Sequence, residues 1–326
     1  MTIHGHHTAN NKHVMLFSGR AYPELAQEVA ALMEDELVPT RALTYANSEI
    51  YVRFEESVRG CDAFVIQSHA APVNEWIMEQ LIMVDALKRA SAKRITVVAP
   101  FYPYARQDKK HLGREPISAR LIADLFKTAG ADRIMSVDLH ASQIQGFFDG
   151  PVDHLTGLPV LADYVMQHYD TSEMCVVSPD AGRVRHADHW CDAIGAPLAI
   201  VHKRRDPNKA NSVSVHEVVG EVEGKVCLLV DDMIDTAGTI VQAAQALKEM
   251  GAAKVVVAAT HPVFSGPAAE RLNSAGLAEV IVTNTLPIRC DPIKNLTVLS
   301  IAPLLAKAIN AVFLDGSVTE LFNGQV

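Results

Sequence analysis

The sequence predicts an α/β protein of two domains, each a mainly parallel sheet flanked by helices. Short β-branched runs alternate with longer helical patterns along the whole chain. The runs are almost continuously apolar, as strands are when helices cover both faces of a parallel sheet. A chain of 326 residues exceeds one ordinary core and suits two domains of about 150 residues each.

Taken in order, strands are expected at "VMLFSG" (14–19), "DAFVIQS" (62–68), "RITVVAP" (94–100) and "RIMSVDL" (133–139). A second series follows at "MCVVSP" (174–179), "PLAIVHK" (197–203), "KVCLLVDD" (225–232), "KVVVAAT" (254–260) and "EVIVTNT" (279–285). Amphipathic stretches such as "NEWIMEQLIMVDALKRA" (74–90) and "AGTIVQAAQALKEMG" (237–251) lie between them, the latter stopped by Gly251. The rhythm of helix end, basic residue, strand, then aromatic and proline turn recurs in the two series. It sets a boundary near 147–157, giving domains 1–153 and 154–304. The last segment, "LLAKAINAVFLDGSVTELF", reads as a helix plus tail, with 305–326 expected to dock back on the first domain.

Acidic residues outnumber basic ones 38 to 29, and the net charge of -9 argues against a general nucleic-acid or anionic-membrane surface. Cys61, Cys175, Cys191, Cys227 and Cys290 are scattered without Cys-x-x-Cys spacing and read as buried thiols of a reducing cytoplasm. No run has the length of a membrane span, and "MTIHGHHTANNK" has no hydrophobic signal core. Its histidines read as a frayed terminus rather than a metal tail.

The chemistry concentrates in "LLVDDMIDTAGTI" (228–240). Ligands of open parallel sheets lie beyond the carboxyl ends of strands. Here the expected strand ends in Asp231 and Asp232, Asp235 follows, and the next helix is expected to begin within or just after Thr236-Ala237-Gly238-Thr239. Small residues there let backbone N–H groups and the positive helix end converge on one anion, with threonine hydroxyls as further donors. Carboxylates repel that anion but accept from vicinal hydroxyls or hold a hard cation. A ribose 5-phosphate carries both groups at the right separation. One acid alone would read as a helix cap; three acids with a hydroxyl-Gly-hydroxyl turn favour the sugar phosphate.

Other segments reach the same sheet edges. No Gly-x-x-x-x-Gly-Lys-Ser/Thr or Gly-x-Gly-x-x-Gly is present, so any nucleotide binds without the common phosphate loops. "PYARQDKKHLGREPISAR" (103–120) gathers Arg106, Lys109, Lys110, Arg114 and Arg120 after a strand; by default a solvated loop, it gains weight from its place at the ligand edge, where Arg106-Gln107 offer planar donors. Asp138 and His140 follow another strand, with a structural histidine and a Mg²⁺-adjacent one both open. "SPDAGRVR" offers Asp180 and a Gly182 turn to pyrophosphate and metal, while Arg183 and Arg185 either add charge or face water. "VHKRRD" sets Lys203 and Arg205 on one face of an extended segment, where two cations can stabilise a transferring phosphoryl group.

These motifs together resemble the ribose-phosphate pyrophosphokinases, the phosphoribosyl pyrophosphate synthetases. The resemblance runs from "FSGRAYPELAQEVA" through "SVRGCDAFVIQS", "ARQDKK", "DLHASQIQGFFDGPVDHL", "SPDAG" and "DDMIDTAGT" to "THPVFSGPA" and "VTNT". It implies two tandem phosphoribosyltransferase-like domains, ATP and Mg²⁺ as co-substrate and cofactor, a homohexamer built from dimers, and a form activated by inorganic phosphate and inhibited by ADP. It further implies ATP contacts at Asn47, Ser48, Glu49, Arg106 and Gln107, and Mg²⁺ at His140 and Asp180. Ribose 5-phosphate would lie on Asp231, Asp232, Asp235, Thr236, Ala237, Gly238 and Thr239, with Lys203 and Arg205 as catalytic cations and Arg205 also on the sugar phosphate. Two departures stand out. The family usually has Gly-Gly where this chain has Gly182-Arg183, and the adenine motif begins Tyr45-Ala46 instead of Phe-Ser. A phosphoribosyltransferase that consumes the product would also need "DDMIDTAGT", but "ARQDKK" and the extra domain favour the synthetase. A non-catalytic scaffold would have no need of Lys203, Arg205, Asp180 and His140.

Overall fold

The computed structural model of the chain describes residues 12–204 and 215–322, the side chains of 203–204 and 215–216 apart. The chain divides into two compact units, Met1–Thr156 with Thr285–Pro287 and Ser300–Val326, and Gly157–Asn284 with Ile288–Leu299.

In the first unit the chain forms β1 (Val14–Ser18), α1 (Pro23–Leu32), β2 (Thr40–Thr44), β3 (Ile50–Phe54), β4 (Asp62–Ile66), α2 (Val73–Arg89), β5 (Arg94–Val98), α3 (Ser118–Ala129), β6 (Arg133–Val137) and β7 (Val152–Leu155). Strands β1-β4-β5-β6-β7 pair in that order, all parallel. The sheet grows in one direction, while β2 and β3 leave it as a separate antiparallel hairpin. One face is built from Phe17, Val65 and Val97 against Ile77, Val84 and Leu87 of α2 and Ile122 and Phe126 of α3. Each fully buried aliphatic or aromatic side chain contributes roughly 1.5–3 kcal/mol by leaving water.

The second unit contains α4 (Leu158–His168), β8 (Met174–Ser178), α5 (Val184–Ile194), β9 (Leu198–Arg204), β10 (Val215–Val219), β11 (Val226–Ile234), α6 (Gly238–Glu249), β12 (Lys254–Pro262), α7 (Ala268–Ser274), β13 (Glu279–Thr283) and β14 (Leu296–Leu299). Helix α8 (Ala302–Phe313) closes the chain and packs on α1 within the first unit. The second sheet runs β10-β9-β8-β11-β12-β13-β14, parallel except for the β9–β10 hairpin. Alternation along β11 divides its side chains between two cores. Cys227 and Leu229 join Ile240, Ala244 and Leu247 of α6, whereas Leu228 and Val230 join Val165 of α4 and Trp190 of α5. This two-sided burial is what makes the run "VCLLV" apolar at every position.

The order of this sheet contains a reversal. After β8 the chain crosses through α5 to β9 on one side; after β11 it crosses through α6 to β12 on the other. The carboxyl ends of β8 and β11 therefore flank a topological switch point, where the two outgoing connections separate and leave a crevice. The first unit's main sheet has no such reversal among the described residues.

All nine expected strands form, at nearly the expected bounds. The five cysteines are free; Cys61, Cys175 and Cys227 are buried, whereas Cys191 and Cys290 are only half-buried. Burial first raises the Cys61 and Cys227 thiols to about 12, so neither is a reactive thiolate near neutrality. Leu228 is wholly buried in β11. Leu228→Ala is expected to destabilise the chain by about 2–5 kcal/mol, seen as a lower urea midpoint at unchanged slope.

Candidate active site

The strand carrying the acid pair runs further than the sequence predicts. Its end is expected at Asp232, yet β11 stays paired with β12 as far as Ile234↔Pro262. Its pairing with β8 stops at Leu229↔Val177. Asp231 and Asp232 thus sit on a stretch of strand held from one side only, next to the switch point. Beyond Ile234 the chain is still tracked by its neighbour: Phe264 N–H donates to the Ile234 carbonyl at 2.9 Å and Ser265 N–H to the Asp235 carbonyl at 3.0 Å.

Ala237 then takes the left-handed conformation, φ 59°, as the residue preceding α6. For a residue with a Cβ this costs about 1–2 kcal/mol, a strain typical of functional turns. It swings the chain so that α6 begins at Gly238 with no side-chain cap. The amides of the first turn are left as donors with the positive end of the helix behind them. Thr236 and Thr239 are exposed beside them. Arg271 of α7 donates from Nη1 to the Thr236 carbonyl at 2.9 Å. This brace adds a cation next to the anion cradle, and no spacing in the sequence announces it.

The crevice's other wall follows β8. Asp180 Oδ1 accepts from Gly182 N–H at 2.8 Å and Arg183 N–H at 3.1 Å, capping the 3-10 turn Ala181–Arg183. A Cβ on Gly182 would lie 3.1 Å from that oxygen, so a bulkier residue would push the cap aside. Asp180 is itself exposed. From the end of this turn the Arg183 guanidinium reaches both acids, Nε to Asp231 Oδ1 at 3.2 Å and Nη2 to Asp232 Oδ1 at 2.7 Å. Asp231 Oδ1 also accepts from Asp232 N–H at 2.9 Å. Burial, then the charge of Asp232, pushes the Asp231 carboxyl well above the ordinary carboxylate range, and Arg183 draws it only partly back. Asp235, Thr236, Ala237, Gly238 and Thr239 continue directly from this pair.

Lys203 lies on β9 opposite His216 of β10, its side chain outside the described residues, and Arg205 is wholly outside them. In the first unit, Asn47, Ser48 and Glu49 form the exposed tip of the β2–β3 hairpin. Tyr45 N–H bonds the Glu49 carbonyl at 2.8 Å, Ser48 has φ 73°, and Asn47 Oδ1 accepts from Glu49 N–H at 3.2 Å. Arg106 and Gln107 are exposed in the turn after β5, where Gln107 Oε1 accepts from Ser118 Oγ at 2.6 Å. His140 is half-buried after β6. Its neighbour Leu139 donates N–H to His154 Nε2 at 2.9 Å, so His154 of β7 fixes the segment as a hydrogen-bond acceptor. The sequence gives no hint of that role.

Among the described residues no three His, Cys, Asp or Glu side chains gather into a cage for a metal. Mg²⁺ in general keeps most of its waters and takes one or two carboxylates plus substrate phosphates. Asp180, exposed and with one oxygen committed to the turn, offers its second oxygen to such an ion.

Because the folded pKa of Asp231 is raised, its contribution to stability is full below the ordinary carboxylate range and is lost as pH rises through the raised value. Asp231→Asn removes that titration. Its urea midpoint should exceed that of the parent at about pH 8, and the advantage should shrink toward zero at about pH 4; a pH-independent difference would refute this assignment.

Comparison with known proteins gives the geometry its context. Residues 14–130 match the N-terminal domain of ribose phosphate pyrophosphokinase, and residues 204–323 match the phosphoribosyl synthetase-associated domain. The chain is 65% identical over 319 residues to the ribose-phosphate pyrophosphokinase of Streptomyces coelicolor, covering 98% of both chains. It is 63% identical over 320 residues to the enzyme of that name from Mycobacterium leprae, again covering 98% of each. The crystal structure of phosphoribosylpyrophosphate synthetase from Mycobacterium smegmatis superposes with a TM-score of 0.89 at 62% identity, over 94% of this chain and 100% of that one. With two domain matches and near-full-length identity above 60%, the chain belongs to the ribose-phosphate pyrophosphokinase family.

Proposed function

We propose that the crevice between β8 and β11 is the ribose 5-phosphate subsite of this enzyme, with the phosphate on the first turn of α6 and the vicinal hydroxyls on Asp231 and Asp232. The chain is a ribose-phosphate diphosphokinase, converting ATP and ribose 5-phosphate to 5-phosphoribosyl 1-pyrophosphate and AMP. The observation that carries the subsite is the pairing of an uncapped helix start with a strand-borne acid pair at the switch point. One end of that arrangement suits a dianion and the other a neutral diol.

In the reaction the 1-hydroxyl oxygen bonds to the β-phosphorus, the bond from that phosphorus to the α,β-bridging oxygen breaks, and AMP departs with the oxygen. The protein's task is to hold both reactants in line and to offset charge on the transferring group. We assign positioning of the sugar to residues 231–239, neutralisation to Lys203 and Arg205, and the ATP contacts to Asn47, Ser48, Glu49, Arg106 and Gln107. On this reading the first unit carries ATP and the second ribose 5-phosphate. Asp180 and His140 are the residues that would meet Mg²⁺, which when bound offsets phosphate charge and polarises the phosphoryl group. A cytoplasmic homohexamer, activated by inorganic phosphate and inhibited by ADP, completes the proposal; no described helix is long and apolar enough to cross a membrane.

Phosphorus NMR of Mg-ATP with and without ribose 5-phosphate tests the reaction. AMP and a sugar diphosphate should form only with the sugar, and sugar-independent AMP would count against it. Lys203→Ala should lower kcat by about 10²–10³-fold with an unchanged melting temperature. Asp180→Asn separates two roles: its amide oxygen keeps the turn capped, so stability should hold within about 0.5 kcal/mol, while the Mg²⁺ needed for half-maximal rate should rise.

A further inference from the structure

The subsite leaves one electrostatic question open. Asp231 and Asp232 are consecutive and largely buried, with side chains 15% and 5% exposed. Two such carboxylates cannot both stay ionised without a cation. The diol assigned to them is neutral, so sugar binding replaces water on the acids without cancelling their charge. The cation must come from elsewhere, and the chain carries one within reach.

We propose that Arg183 is the resident counter-cation of the sugar-hydroxyl subsite, offsetting the charge of the Asp231–Asp232 pair and fixing its position in place of a second divalent cation. The inference rests on reading residues 231–239 as the ribose 5-phosphate subsite. Arg183 contacts one oxygen of each acid through two different nitrogens, at 3.2 and 2.7 Å. Two ion-pair contacts from one planar guanidinium tie the positions of the two carboxylates together, as a point charge cannot. The arginine's own root is fixed as well, because Asp180 accepts from its backbone N–H and from that of Gly182. With its side chain only 20% exposed, Arg183 is screened far less than a surface ion pair. It touches neither the anion cradle nor the reacting atoms in this reading, so it is a positioning residue.

Calorimetric titration of ribose 5-phosphate, without ATP, in EDTA and then in millimolar Mg²⁺, tests this on the full chain. The parent should bind equally well in both buffers. Arg183→Met should bind at least about tenfold more weakly in EDTA, the loss of a charge-assisted contact, and recover when Mg²⁺ is added. Arg183→Lys, keeping the charge without the fork, should fall between them. Undiminished or tighter binding by Arg183→Met in EDTA would overturn the proposal, the tighter case marking the guanidinium as a competitor of the sugar. Equal loss in both buffers would make the arginine merely structural and overturn it too. Should Arg183→Met fail to fold, the parent decides: Mg²⁺-dependent binding of the sugar overturns the counter-cation role. Absence of binding by the parent in either buffer would instead remove the subsite itself, and the inference with it.

Discussion

The parting of β11 from β8 is the constraint on which the rest of the site depends. Up to Leu229 the strand is held on both sides, and from there to Ile234 it is held by β12 alone. Full pairing would have sealed the edge with backbone hydrogen bonds and left no room for acids. No pairing would have left them on a loose loop. Half-pairing keeps Asp231 and Asp232 in fixed positions and opens their side to a ligand, and the reversal of strand order between β8 and β11 makes this place unique in the second sheet among the described residues.

Around that edge the molecule separates two kinds of charge over a few residues. Before Ile234 it offers acceptors, compensated by Arg183; after Ala237 it offers amide donors at a helix start, supported by Arg271. The left-handed Ala237 is the pivot between them. Its strain is small beside the hydrophobic burial on both faces of β11, where Leu228, Leu229 and Val230 are wholly enclosed. A well-packed sheet can carry a locally unfavourable turn and a like-charged pair because the burial around them, which takes in Ala237 itself, outweighs their cost.

Much of this was legible in the residues. The continuous apolar runs identified the two-sided strands, since burial on both faces of a sheet requires side chains such as Val226 to Val230 to be apolar in succession. The hairpin β2–β3 escaped because "TRALT" and "IYVRF" are half-exposed and lack such runs, and β7, β10 and β14 because short edge strands pack on one side only. Within the site, the composition of 231–239 raised the expectation of an anion beside a diol. It could not announce that the acids stay within the strand, for that depends on how far β12 continues alongside. Arg183 stood in the sequence as a departure from glycine with two open readings, added charge or a solvent-facing side chain; only the register of β8 against β11 brings it to the acids. His154 and Arg271 act through hydrogen bonds to distant backbone, which no local pattern encodes.

An acid pair carried on a strand has a further consequence, one of stereochemistry. Its spacing is set by the pleat and by hydrogen bonds to β12, so it cannot shift to follow a sugar of different configuration, as a loop would. An epimer or a deoxy analogue would leave a largely buried carboxylate facing no donor, an expense that sites built to pair a hydroxyl impose on ligands lacking it. The phosphate end, made of backbone amides at a helix start, reads only charge and reach. Fidelity for the ribo configuration would then reside in the sheet, while the loop would accept any 5-phosphate the sheet has approved.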